Sequence, residues 1–114
     1  MDQSAIMRVL TSEGFTLVHE TKKLLEYRRG NESVYLKNKG TDHPLVIHGR
    51  HAPRIGALAS ESGVRRTKAA TKAYHNSNMR SFDLRQNAGR KPTRYGFDFG
   101  FTNAPGLASL LRAI

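Results

Sequence analysis

The chain has no cysteine, no tryptophan, only nine acidic residues against nineteen Lys and Arg, and no long apolar run. Without cysteine, disulfides, thiolate chemistry and Cys-based zinc or iron–sulfur sites are excluded. The longest apolar stretches, such as Pro44-Leu45-Val46-Ile47, are far too short to cross a bilayer. The start Met1-Asp2-Gln3-Ser4 lacks a basic segment followed by an apolar one, so the expectation is a cytoplasmic protein with no membrane partner. Sparse carboxylates argue against a magnesium site held by Asp and Glu. No Gly-rich phosphate loop, nucleophile elbow, paired-carboxylate site or zinc-finger pattern appears, and no metal or cofactor is expected.

What is present is positive charge in one place. Eleven of the nineteen cations lie between Arg50 and Arg94, opposed there by Glu61 and Asp83 alone, so this stretch holds nine of the ten net charges. Cations that neutralise phosphates release condensed counterions, the main sequence-independent source of affinity for DNA and RNA. The expected partner is therefore DNA or RNA, with Arg50, Arg54, Arg65, Arg66, Lys68 and Lys72 as phosphate contacts in the first half of the stretch. Arg80, Arg85, Arg90, Lys91 and Arg94 extend the set in the second half.

At 114 residues with 38% hydrophobic content, the chain has material for one core and one domain spanning 1–114. Ser4 is the expected cap of a first helix in which Ile6, Val9 and Leu10 form an apolar stripe, and Gly14 followed by Phe15 is its expected end. Three strands follow at 15–19, 24–28 and 33–37, with Gly30-Asn31 as a tight turn in an antiparallel meander. Leu45-Val46-Ile47-His48 reads as a fourth, more buried strand. Ile55, Leu58 and Ala59 suit a short helix ending at Gly63, and 64–73 reads as a solvated helix or loop. Gln86–Thr93 has loop composition and is expected to be mobile when unbound. Phe97, Phe99 and Phe101 alternate in the clearest strand, and Asn103 caps a last helix with Pro105 in its first turn and Leu107, Leu110, Leu111 and Ile114 on one face. The fold class is α+β: an N-terminal helix, an antiparallel sheet of about four to five strands, and a C-terminal helix packed on the sheet, with a basic segment at 49–94. Both helices are expected on one sheet face, leaving the other to meet a partner.

On that open face, Tyr27 and Tyr35 are expected as cross-strand neighbours that stack bases, although half-buried packing is the commoner role of a strand tyrosine. His48-Gly49-Arg50-His51 sets two imidazoles just past a strand, a pattern open to a metal, a proton shuttle in phosphodiester cleavage, or phosphate contacts. Phosphate contacts rank first, because a metal needs a third ligand and the surrounding arginines repel a cation. Tyr74-His75-Asn76-Ser77-Asn78-Met79-Arg80 is the densest polar cluster. In it His75, Asn76 and Asn78 are candidates to read bases or bind phosphate, with a self-bonded turn as the alternative.

The series Gly14-Phe15-Thr16, Tyr27-Arg28-Arg29-Gly30, Val34-Tyr35, Leu45-Val46-Ile47-His48, Tyr95-Gly96 and Gly100-Phe101 before a Leu-rich end resembles the YgaC-like family of small uncharacterised bacterial proteins. That resemblance implies an α+β fold with a curved antiparallel sheet and carries no established activity. The first half, Met7-Arg8-Val9-Leu10 through Gly14-Phe15-Thr16-Leu17-Val18, is also loosely similar to HicA-type toxins, small messenger-RNA-cleaving domains with a double-stranded-RNA-binding-like fold. Their catalytic His follows a Gly-Ser pair after the first strand, where this chain reads Glu20-Thr21-Lys22-Lys23-Leu24. The expected function is nucleic-acid binding through phosphate contacts, with enzymatic activity left open and a non-enzyme favoured. The alternatives are a HicA-like ribonuclease using His48, His51 or His75, and an interaction protein, for example a defence or anti-defence factor, that binds an acidic protein partner.

Overall fold

Asp2, rather than the expected Ser4, caps the first helix in the computed structural model, which describes residues 1–66 and 72–114. Its Oδ1 accepts from the Ala5 N–H at 2.8 Å, satisfying one of the donors that a helix start leaves without a partner. Helix α1 (Gln3–Ser12) buries Ile6 and Leu10. It ends as the sequence predicts. Gly14 adopts φ +87°, its N–H donates to Thr11 O at 3.1 Å, and Phe15 N–H donates to Leu10 O at 2.9 Å. This double bond pattern closes a helix through a left-handed glycine and turns the next residue inward, and Phe15 is buried.

Strands β1 (Thr16–Glu20), β2 (Leu24–Arg29), β3 (Glu32–Lys37) and β4 (Leu45–His48) form the expected antiparallel meander. A 3-10 helix (Gly49–Arg54) and the short α2 (Ile55–Ala59) follow. Three further strands, β5 (Val64–Arg65), β6 (Tyr74–His75) and β7 (Leu84–Asn87), all pair with the long β8 (Arg90–Phe101), and α3 (Ala104–Ala113) closes the chain. The eight strands among the described residues exceed the expected four to five because β5 and β6 have two residues each and β7 is polar, so none of these three carries a period-two pattern. The stretch at 86–93, read as loop, is the tip of a hairpin: Ala88 (φ 46°) and Gly89 (φ 81°) supply the positive dihedrals of the mirror-image turn that joins twisted strands.

Strand β8 organises the sheet, which runs β1-β2-β3-β4-β8-β5. Gly96 pairs with His48 of β4 and with Tyr74 of β6. A Cβ there would meet Ile47 O at 2.5 Å and the Phe82 ring at 2.9 Å, so only glycine fits between these neighbours.

Both faces of the sheet are covered. Helices α1 and α3 lie on one, where Phe97, Phe99 and Phe101 meet Leu107, Leu110 and Leu111. As predicted, Asn103 caps α3, its Oδ1 accepting from Gly106 N–H at 2.8 Å. The opposite face, expected to be open to a partner, is instead covered by Met79 and Phe82, which pack on Leu24, Tyr35 and Val46. Full burial of such a side chain stabilises by about 2 kcal/mol. Among the described residues, no helix is long and apolar enough to cross a membrane.

Candidate nucleic-acid interface

The expected phosphate contacts do not form one surface, because the fold consumes several of them. Arg54 donates to Ala113 O at the end of α3, and Arg66 to the Asp98 carboxylate at 2.9 Å. Arg94 donates to Phe82 O at 2.8 Å, holding the segment that covers the second sheet face. Arg50 and His51 both contact Glu32, His51 Nε2 at 2.9 Å from its carboxylate. Lys68 lies outside the described residues.

Tyr27 and Tyr35 are also taken up by the core. The two-residue turn pairs Arg29 with Glu32, so Tyr27 faces Val34 and Tyr35 faces Glu26. One step of register puts the two rings on opposite sheet faces, Tyr27 in the helix-side core and Tyr35 against Phe82. Both are buried and offer no ring face to a base. Burial raises both phenols, and the Tyr35 hydroxyl accepts from the Ser81 N–H at 2.9 Å.

Asn76 and Asn78 build the turn that was the alternative reading. Asn76 Oδ1 accepts from Asn78 N–H at 2.9 Å, and Met79 N–H returns to Asn76 O at 3.2 Å. His75 pairs with Tyr95 across the strands, and its Nε2 is buried without a hydrogen-bond partner among the described residues. Burial, then the Arg85 charge, lowers its pKa.

What remains exposed is concentrated on the β7–β8 hairpin. Residues 84–95 contain no acid, and Arg85, Arg90 and Lys91 all face solvent. Among the described residues Arg90 and Lys91 make no ion pair, while the Arg85 guanidinium sits 5.2 Å from the centre of the Tyr95 ring. Leu84, 58% exposed, lies at the start of the same ribbon. Because β4 ends opposite Gly96 and the β6 segment bonds β8 as far as Arg94, residues 90–93 of β8 continue beyond both with β7 as a two-stranded arm.

Two clefts flank the covering segment on the second face. One, of about 190 Å³, is lined by Lys23, Lys37, Lys39, Thr41 and Tyr74. Lys37 is tied there to Asp98 at 2.9 Å and sits 4.0 Å from the Tyr74 ring centre. The exposed Lys72 borders the neighbouring surface with Tyr74 and Asp98, and Arg65 is exposed on β5.

The other cleft, of about 200 Å³, lies between the β2–β3 turn and Ser81, with Arg28, Ser33, His48 and Arg50 in its wall. Behind the lining residues Arg28, Ser33 and Ser81 lies Glu26, which is 1% exposed and hydrogen-bonded to all three. Burial alone would raise the Glu26 carboxyl, but it accepts from Ser81 Oγ at 2.7 Å, Arg80 Nε at 2.9 Å, Ser33 Oγ at 3.0 Å and Arg28 at 3.0 Å. These bonds outweigh the burial and hold its pKa at about 2. His48 Nδ1 accepts from the Arg50 N–H at 2.9 Å, which leaves Nε2 to carry the proton. Burial, then the Arg50 charge, pushes the His48 imidazole below its ordinary pKa.

Ser33, Ser81 and Glu26 were not candidates from the sequence. The signal that finds them is the correct hairpin register, which places Arg28 opposite Ser33 on one face and Glu26 two residues away on the same face. No protein-family model matches the chain, and no curated protein matches it.

Proposed function

We propose that the protein binds nucleic acid through phosphate contacts centred on the β7–β8 ribbon. The observation that carries this reading is the acid-free arm on which Arg85, Arg90 and Lys91 point to solvent. A two-stranded ribbon has the width to enter a duplex major groove, and it presents cations equally well to a single strand. Lys23, Lys39 and Lys72 on the second face, with Arg65 at the β5 edge, extend the positive surface beyond the arm.

The test is a fluorescence-anisotropy titration of short single- and double-stranded DNA and RNA at several salt concentrations, with recovered probes run on a denaturing gel. The charge-reversed variant Arg90→Glu/Lys91→Glu is expected to weaken binding to every sequence and to lower the salt slope by about two, one for each lost phosphate contact. An unchanged slope sinks the ribbon as the interface. Probe cleavage lost on His48→Ala would replace the binding reading with the ribonuclease alternative. Capture of an acidic protein that survives nuclease treatment would support the protein-partner alternative instead.

A further inference from the structure

We propose that the cleft at the base of the ribbon, walled by Arg28, Arg50 and His48, is a seat for a phosphate monoester. The chemistry is that of a tetrahedral dianion, supplied by the terminal phosphate of a nucleic-acid strand or by a free phosphoryl compound. The strand-end source rests on the nucleic-acid reading above; the chemistry of the cleft does not.

The donors are held before any ligand arrives. Arg28 is fixed by Nε to Ser33 Oγ at 3.2 Å and by Nη2 to Glu26 at 3.0 Å, which leaves its Nη1 without a partner among the described residues. Arg50 is fixed through Nη2 to Glu32, and its backbone N–H sets the His48 tautomer. His48 then directs a ring N–H rather than a lone pair from Nε2. The ring is itself clamped edge-on against Phe82, 5.1 Å between centroids. Planar guanidinium groups with locked rotamers lose little entropy when they accept a phosphate.

The carboxylates stand behind these donors, not in the wall of the cleft. Glu26 and Glu32 orient the arginines and offset their mutual repulsion while the cleft is empty. One exposed acid stands beside His48: Asp83 Oδ2 lies 3.6 Å from His48 Nε2 on a side chain that is 74% exposed. That distance is too long for a hydrogen bond, and the side chain is free to swing away. Asp83 thus offers a weak internal stand-in for the ligand oxygen. It also fixes the geometry relative to the ribbon, since Asp83 directly precedes β7 and its carbonyl accepts from Tyr95 N–H at 3.1 Å. A strand whose inner phosphates meet Arg85, Arg90 and Lys91 therefore has its end close to the cleft. The cleft's own arginines and carboxylates nearly cancel, so recognition comes from directed short bonds. These are screened by salt far less than the field of the ribbon.

Two measurements test this. Inorganic phosphate is titrated at constant ionic strength while the NMR signals of the His48 ring and the Arg28 and Arg50 side chains are followed. Saturable shifts are expected, absent in Arg28→Gln and strengthened in Asp83→Asn, a surface change that leaves the fold alone. No shift in the unaltered protein and none in Asp83→Asn overturns the proposal. Strands of one sequence carrying a 5′-phosphate, a 3′-phosphate or only hydroxyl ends are then compared by anisotropy at low and high salt. A phosphorylated end is expected to bind about tenfold tighter, the effect of one charge-assisted hydrogen bond, with the ratio maintained at high salt. Phosphate-induced shifts without any end preference assign the seat to a free phosphoryl compound. Loss of ribbon binding in Arg90→Glu/Lys91→Glu with the phosphate shifts intact keeps this test separate from that of the ribbon.

Discussion

Glu26 and Arg80, fifty-four residues apart in the chain, are joined by a hydrogen bond of 2.9 Å from Arg80 Nε to the Glu26 carboxylate. The bond fastens the segment that carries Met79 and Phe82 to strand β2, so the second core depends on a buried charge. Glu26→Gln keeps the size but loses the charge that Arg28 and Arg80 share with both serines. We expect it to destabilise the fold by about 2 kcal/mol in chemical denaturation.

The same carboxylate makes stability depend on acid. Its folded pKa is about 2 against an ordinary 4.5, so the unfolded chain takes up the proton first as pH falls. The contribution is complete above 4.5 and is lost progressively between 4.5 and about 2. Urea midpoints measured across this window should fall more steeply for the unaltered protein than for Glu26→Gln.

His75 supplies a stabilising change. Its Nε2 is buried without a partner among the described residues, and its ring lies 6.4 Å from that of Tyr95. His75→Phe keeps a ring beside Tyr95 and removes the unsatisfied nitrogen. An increase of about 1 kcal/mol in unfolding free energy is expected, and a decrease would mean that the nitrogen finds a partner in solution.

The tyrosines separate packing from recognition. Tyr35→Phe removes the acceptor of the Ser81 N–H and should cost about 1 kcal/mol. Neither Tyr35→Phe nor Tyr27→Phe should alter affinity for any oligonucleotide, since both rings are buried in the two cores. A loss of affinity at constant stability would return these residues to the interface.

Gly96→Ala should be severe. The added methyl meets Ile47 O at 2.5 Å and Val46 Cγ1 at 2.8 Å, with strands paired on both sides to prevent relief. A loss of about 2 to 3 kcal/mol or failure to accumulate folded protein is the expected result. By contrast, a Cβ at Gly40 meets nothing within 4 Å, so Gly40→Ala is the matched control.

The helices and the principal strands were legible because their patterns are local. Leu107, Leu110 and Leu111 repeat at helical spacing, Phe97, Phe99 and Phe101 alternate, and Gly14-Phe15 announces a helix end. The second core was not legible, since Met79 and Phe82 stand alone among polar residues and acquire meaning only when laid across Leu24, Tyr35 and Val46. Facing Tyr27 with Tyr35 required a three-residue loop, whereas the chain uses a two-residue one with Gly30 at φ 59°. That single step decided which side chains line the candidate cleft. The ribbon was hidden for another reason: its strand β7 gains its conformation from pairing with β8, while its own residues are those of a loop. Charge located the basic segment and could not say which cations the fold would occupy.

Strand β8 also orders events in time. Its partners β4, β5, β6 and β7 all precede it, and α3, which packs over it, follows. On a translating ribosome, the meander of β1 to β4 emerges with one edge unsatisfied and its Leu45 and Ile47 waiting for Phe97 and Phe99. Closure must await β8, at the cost of joining contacts far apart in the chain. Until then the nascent chain presents a sticky strand edge beside a strongly cationic segment. Its period of greatest vulnerability to aggregation and to chaperone capture thus falls just before β8 and α3 are delivered.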